Sequence, residues 1–234
     1  MVGFFEAGLQ GFASFFSIWQ ACIAQISPFF MAFIIGLYFM AWRRGAPPSM
    51  VRRTVFPSVI YMAGFSAPYA LMTATGLPVG RLMAYHSGTL SVIAGIVILL
   101  IGLFMTLYGR VAFITKLDTP LYIAFMSLLL GIAFALVYSP CITPTLSKIM
   151  GIASQPKTAM TGAILAFFYA VGICVAFLIT GVVLVRLLSS VGVMRRNPGR
   201  VKDSCGAILC VLAFLNISGT MILYKAFVLG FFVK

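Results

Sequence analysis

From Ser87 to Tyr108 the chain carries no charged side chain, and the run is almost unbroken in its apolar character. A helix needs about 20 such residues to cross the hydrocarbon core of a bilayer. Comparable runs recur along the whole chain. They do not alternate apolar with polar, which excludes the period-two pattern of a membrane β-barrel. Of the 234 residues, 62% are hydrophobic and 8% charged. A soluble domain carries about 25% charged residues, and a disordered chain is poor in apolar ones. An integral membrane protein remains, with room for about six helical spans and no sizeable soluble domain.

The spans predicted from the pattern are Gly3–Trp42, Thr54–Thr75, Ser87–Tyr108, Leu121–Ile152, Thr158–Leu188 and Ser204–Phe232. The first and fourth are too long for one straight helix. Pro28 lies inside the first, Pro57 and Pro68 in the second, and Pro140 and Pro144 in the fourth. Met1-Val2-Gly3 offers no positive segment and Glu6 is acidic, so no cleaved secretory signal is expected.

The formal net charge of +13 sits in the loops. It has no aromatic interleaving and gives no reason to expect a nucleic-acid partner. Arg43, Arg44, Arg52 and Arg53 connect spans one and two. Arg110 and Lys116 connect three and four, and Arg195, Arg196, Arg200 and Lys202 connect five and six. The opposite connections hold only Arg81, Lys148 and Lys157. The heavier side is expected to be cytoplasmic, which places both termini outside.

Spans one and four share excess length, an intramembrane Cys and a following Pro. Setting Cys22 on Cys141 places Ile23 on Ile142 and Met31 on Met150, with Gly11 and Gly131 within one residue of register. Three spans per unit is an odd number, so two such units insert with opposite orientation. The expected fold is therefore all-α, with six transmembrane helices in two inverted repeats, residues 1–110 and 111–234. Helices one and four are expected to break at their Cys/Pro sites, the usual pointer to a midplane site in transporters.

The strongest local motif is Ser139-Pro140-Cys141-Ile142-Thr143-Pro144. Each Pro removes a backbone donor and clashes with the preceding turn. A half-helix starting near Cys141 would aim free N–H groups at the sulfur and favour the thiolate, while apolar burial opposes it. A buried Cys beside a kink is the simpler reading. In span one, Cys22 is followed by Gln25 and Pro28. The Gln25 amide either satisfies backbone freed by Pro28 or bonds a thiol or a partner.

These patterns resemble the CcdA family of cytochrome c biogenesis proteins, whose fold is shared by the transmembrane domain of DsbD. The resemblance rests on GIAFALVYSPCITPTLSKIMGIAS, GAILAFFYAVGICVAFLITG and GAILCVLAFLNISG and covers all six spans. It implies a thiol–disulfide oxidoreductase acting as a transmembrane electron relay. Two electrons pass from cytoplasmic thioredoxin to an extracytoplasmic thioredoxin-like acceptor through Cys22 and Cys141. Pro28, Gln25, Ser139, Pro140, Thr143 and Pro144 support the pair. The chain departs from the family at Ala21 and Gln25, where prolines are usual. A dithiol pair exchanges electrons by thiolate attack on a disulfide and needs no cofactor and no metal. The localisation implied is the cytoplasmic membrane. A solute permease lined by Gln25, Ser139 and Thr143, or a structural subunit of a larger complex, are the alternatives.

Cys174, Cys205 and Cys210 match no metal spacing and read as packing residues, with Cys205 as a docking thiol the rival view. His86 is expected at the outer edge of span three, and Asp118 and Asp203 in solvent. Asn216, Ser218 and Thr220 form a polar break in span six, facing either the Cys pair or a neighbouring helix. Gly95, Gly102, Gly162, Gly172 and Gly181 fit close helix packing.

Overall fold

The computed structural model describes residues 3–16, 21–42, 48–111, 119–137, 144–192 and 196–220, with 223, 226 and 230. The described residues form helices α1 (Phe4–Phe16), α2 (Ala21–Met40), α3 (Phe56–Thr73), α4 (Pro78–Tyr85), α5 (Ser87–Leu107), α6 (Pro120–Val137), α7 (Pro144–Ala153), α8 (Ala159–Ser190) and α9 (Pro198–Ile217). A π-helical turn, Val51–Val55, leads into α3. No strand occurs among them. Among the described residues, three helices are long and apolar enough to cross a membrane: Val51–Thr73, Ser87–Leu107 and Ala159–Ser190. Ser27–Met40 and Pro120–Leu136 are apolar but shorter.

Several expected boundaries move. The first long span is two helices, α1 and α2, and α2 runs through Pro28 without ending there. One missing N–H and a local clash can be absorbed where neighbouring helices surround the backbone. The fourth span likewise falls on two described helices, α6 and α7. The connection between spans two and three is itself helical. Pro78 starts α4, and Gly80 packs so closely on the Leu71 and Ala74 carbonyls that a Cβ would overlap them. The last helix starts earlier than the expected span, at Pro198, with Lys202 and Asp203 ahead of the apolar run, and α9 ends at Ile217. Ser218–Thr220 form a turn with Gly219 at φ +70°, which favours glycine.

Helix termini gather at two ends of the molecule. At one end Gly36 of α2 lies on Met105 and Cys205. There the end of α5 meets the start of α9, and Phe104 meets Tyr122 at the start of α6. At the other end the Gly76 N–H donates to the Ala153 carbonyl at 3.0 Å, joining the end of α3 to the end of α7. Gly162 near the start of α8 packs on Ala153, and Ser91 of α5 bonds Asn216 of α9. These ends are called here the Trp42 end and the Gly76 end.

Glycines set the closest helix contacts, and the contacts come in matched sets. On α1 and α8, a Cβ at Gly11 would overlap the Tyr169 carbonyl, and one at Gly172 the Gly8 carbonyl. On α6 and α3, Gly131 meets the Tyr61 carbonyl in the same way, and a Cβ at Gly64 would stand 2.5 Å from that of Leu128. Between α5 and α9, Gly102 faces Cys210 while Gly206 faces Thr106. Small residues allow this approach in a bilayer, where helices associate by packing.

Helix α2 lies inside this frame. Every residue from Phe29 to Met40 is buried except half-buried Met31. Twelve residues exceed three helical turns, so α2 is enclosed on all sides. The helices around it expose apolar faces instead: Ile93, Ile96 and Leu100 on α5, and Ile208, Val211 and Phe214 on α9. Faces of that extent are expected against lipid rather than water.

Candidate functional site

Cys22 occupies the second position of α2, and its side chain and those of Ala21–Ile26, Gln25 included, lie outside the described residues. Ser139, Pro140, Cys141 and Thr143 also lie outside them. The surrounding frame is described. Pro144, three positions after Cys141, begins the ten-residue helix α7. Pro28 is half-buried inside α2, two turns after Cys22. Helix α7 is held at its far end by the Gly76–Ala153 hydrogen bond and by Thr158 Oγ1 donating to the Ile152 carbonyl at 2.7 Å.

Below the start of α2 the packing is aromatic. Phe29 stacks edge-on against Phe134 with centroids 4.9 Å apart, and Phe30 lies 4.9 Å from Tyr61 and 5.3 Å from Phe177. Ser66 of α3 stands beside the Cys174 thiol of α8. Cys174 and Cys205 are buried free thiols and Cys210 is a half-buried one, as packing residues should be. Cys205 packs against Gly36 of α2 and is 7% exposed, which removes it as a docking thiol. Among the described residues no three His, Cys, Asp or Glu side chains gather to hold a metal ion.

The polar break in α9 packs on a neighbour. Asn216 Nδ2 donates to the Ser91 carbonyl at 2.9 Å, and Ser91 Oγ donates to Asn216 Oδ1 at 3.1 Å. That pairing spends both ends of the amide on α5. His86 is exposed at the Gly76 end, its Nδ1 3.1 Å from the Leu82 carbonyl.

Asp203 departs from expectation. Its carboxylate bridges Arg110 at 3.0 Å and Lys202 at 2.9 Å and is not simply solvated. Burial alone raises this carboxyl, but Lys202 and Arg110 outweigh it and hold it below the usual carboxylate range. Lys202 is itself buried, and its Nζ donates to the Tyr108 carbonyl. Sequence reasoning missed this cluster, because its partners lie on two helices far apart in the chain. Asp118 lies outside the described residues.

Described residues that are all helical or in turns, with three helices long and apolar enough to cross a membrane, define the class of protein. Its relatives agree. The chain is 23% identical over 216 residues to a protein of Haemophilus influenzae provisionally named a cytochrome c-type biogenesis protein, covering 90% of this chain and 92% of that one. It is 23% identical over 219 residues to the cytochrome c-type biogenesis protein CcdA of Halalkalibacterium halodurans, covering 90% of each. These relatives support the CcdA-family resemblance along nearly the whole chain. No family model matches it, and no solved structure matches it.

Proposed function

We propose that this protein is a membrane thiol–disulfide electron relay serving cytochrome c maturation. The observation that carries the reading is the near full-length similarity to proteins named for cytochrome c biogenesis. The presence of one Cys in each of the two overlong apolar runs, Cys22 and Cys141, supports it. In this reading the Cys22–Cys141 disulfide accepts two electrons and two protons from the dithiol of cytoplasmic thioredoxin, which becomes a disulfide. The reduced pair then attacks the disulfide of an extracytoplasmic thioredoxin-like protein. A mixed disulfide forms, the second thiol resolves it, and the partner leaves as a dithiol while Cys22–Cys141 closes again.

The fold proposed for this task is six spans in two inverted repeats, residues 1–110 and 111–234. The matched glycine contacts support it. Gly11 on Tyr169 corresponds to Gly131 on Tyr61, and Gly172 on Gly8 corresponds to Gly64 on Leu128. Ser66 and Cys174 then hold equivalent positions, and they meet, as residues near a pseudo-two-fold axis must. The reciprocal contacts of Gly102 with Cys210 and Gly206 with Thr106 have the same logic. The proposed location is the cytoplasmic membrane with both termini outside. Gln25, Pro28, Ser139, Pro140, Thr143 and Pro144 shape the two broken-helix sites around the pair.

Thiol trapping tests the reading. With Cys174→Ser, Cys205→Ala and Cys210→Ser in place, native membranes are acid-quenched and free thiols labelled with a large maleimide, before and after reduction. Two labels that appear only after reduction support the relay, and reduced thioredoxin should then open the bond. Two thiols that stay free under mild oxidant overturn it and leave the structural or permease alternatives.

A further inference from the structure

Helix α4 is amphipathic, but its apolar face does not meet the core. Val79 is 50%, Leu82 61% and Tyr85 84% exposed. At 3.6 residues per turn these three side chains share an arc of about 120°, and Gly80 falls on the opposite side of the helix. Gly80 is buried, and its side is the one that packs on α3, against the Leu71 and Ala74 carbonyls. A surface helix of a soluble protein does the reverse and presents its apolar stripe to the core. An apolar face turned outward calls for an apolar medium or partner beyond it.

The position of α4 narrows the choice. It joins the ends of two helices that are long and apolar enough to cross a membrane, Val51–Thr73 and Ser87–Leu107. Helix α5 begins two residues after Tyr85, and its exposed Val92, Ile93 and Ile96 extend an outward apolar surface along the chain. Depth agrees. The Leu71 carbonyl that Gly80 meets lies three residues before Ala74, about 5 Å along α3 from its end. Helices that lie in a membrane interface bury their apolar face about 5–10 Å into the boundary between headgroups and acyl chains. The rim is polar in the matching way. Arg81 is exposed at one edge of the apolar arc and makes no ion pair among the described residues, a cation of the kind that meets lipid phosphate. Tyr85 meets the His86 ring edge-on at 4.9 Å, and such rings with one polar end favour the headgroup level.

We propose that α4 is an interfacial anchor, lying in the headgroup region of the leaflet at the Gly76 end with Val79, Leu82 and Tyr85 among the lipids. Arg81 takes the phosphate side and Gly80 the protein side. The anchor acts on more than one helix. Gly76, between α3 and α4, donates its N–H to the Ala153 carbonyl at 3.0 Å, so the level that α4 sets at the bilayer surface also fixes the end of α7.

The test keeps the full chain in its native membrane and places photoreactive p-benzoylphenylalanine at one position at a time. The positions are Leu82 and Tyr85 on the apolar face, Ala84 away from it, and Leu100 on the outward side of α5. All are exposed, so the bulky probe displaces no packed side chain. After illumination, the intact mass of the purified protein reads what the probe has captured. Leu82 and Tyr85 should each gain the mass of one phospholipid. The yield should be within about threefold of that at Leu100 and about fivefold or more above that at Ala84. An adduct with a second copy of the chain, or with another protein, overturns the anchor and makes this face a protein interface. A yield at Leu82 and Tyr85 no higher than at Ala84 overturns it too, since water then covers the face. Lipid capture involves no electron transfer. Its outcome is independent of the relay reading, which thiol trapping tests separately.

Discussion

A single methyl group discriminates among the glycines. At Gly11 and Gly131 a Cβ would overlap a carbonyl oxygen on the facing helix, and backbone cannot rotate away as a side chain can. Gly11→Ala and Gly131→Ala should each cost about 1–3 kcal/mol, the usual range for overpacking. Gly88→Ala, with nothing within 4 Å, should be neutral or slightly stabilising. Melting temperatures in detergent check this, and equal losses at Gly11 and Gly131 with none at Gly88 are the expected pattern. The glycine content of the spans was visible in the sequence, and so was the near register of Gly11 with Gly131. The carbonyls they meet were not, because Tyr169 and Tyr61 lie on helices whose pairing no local pattern encodes.

Helix ends show how elements are fastened. The last carbonyls of α5 meet the Lys202 ammonium from α9, a cation where the helix dipole favours one. Asp203 then joins Lys202 to Arg110 just past α5. Because the Asp203 carboxyl is held below its ordinary value, the contribution is fully present above the unfolded carboxylate pKa. It is lost as pH falls through the lower folded value. Thermal stability should thus hold from neutral pH to about 4 and fall below it, and Asp203→Asn should flatten that limb of the profile. Salt should weaken the exposed Arg110 link more than the buried Lys202 one. The sequence placed α5 and α8 well, since long uninterrupted apolar runs leave a helix little choice. It missed α4, whose apolar Val79, Leu82 and Tyr85 form too short a run beside Pro78. It expected a break at the Cys/Pro site of the first span, and Pro28 does not break α2, because a proline's effect depends on what surrounds the freed carbonyl.

Charge is divided between the ends of the whole molecule. Among the described residues, Arg52, Arg53, Arg110, Arg186, Arg196, Arg200 and Lys202 belong to the Trp42 end, and Arg81, Lys148 and Lys157 to the Gly76 end. Such asymmetry directs the richer end to the cytoplasm. A cysteine placed at Asn197 should therefore label only from the cytoplasmic face, and one at Gln155 only from the opposite face. Reversed labelling would refute the proposed orientation. The uneven division of the loop charges was legible in the sequence. The Cys22 and Cys141 motifs were legible in the sequence, whereas the aromatic cluster of Phe30, Tyr61, Phe134 and Phe177 arises from four helices and from no single stretch of chain.

The enclosure of α2 also orders the protein's birth. Helix α2 leaves the ribosome ahead of α3, α5, α8 and α9, the helices that later surround it. Until α8 and α9 follow, part of its apolar surface has no protein partner. The enclosing layer is complete only when α9, the last of the long helices, has arrived. A chain stopped before Pro198 would hold α2 as a helix with one flank open, so its final environment is a product of assembly after insertion and not of insertion itself.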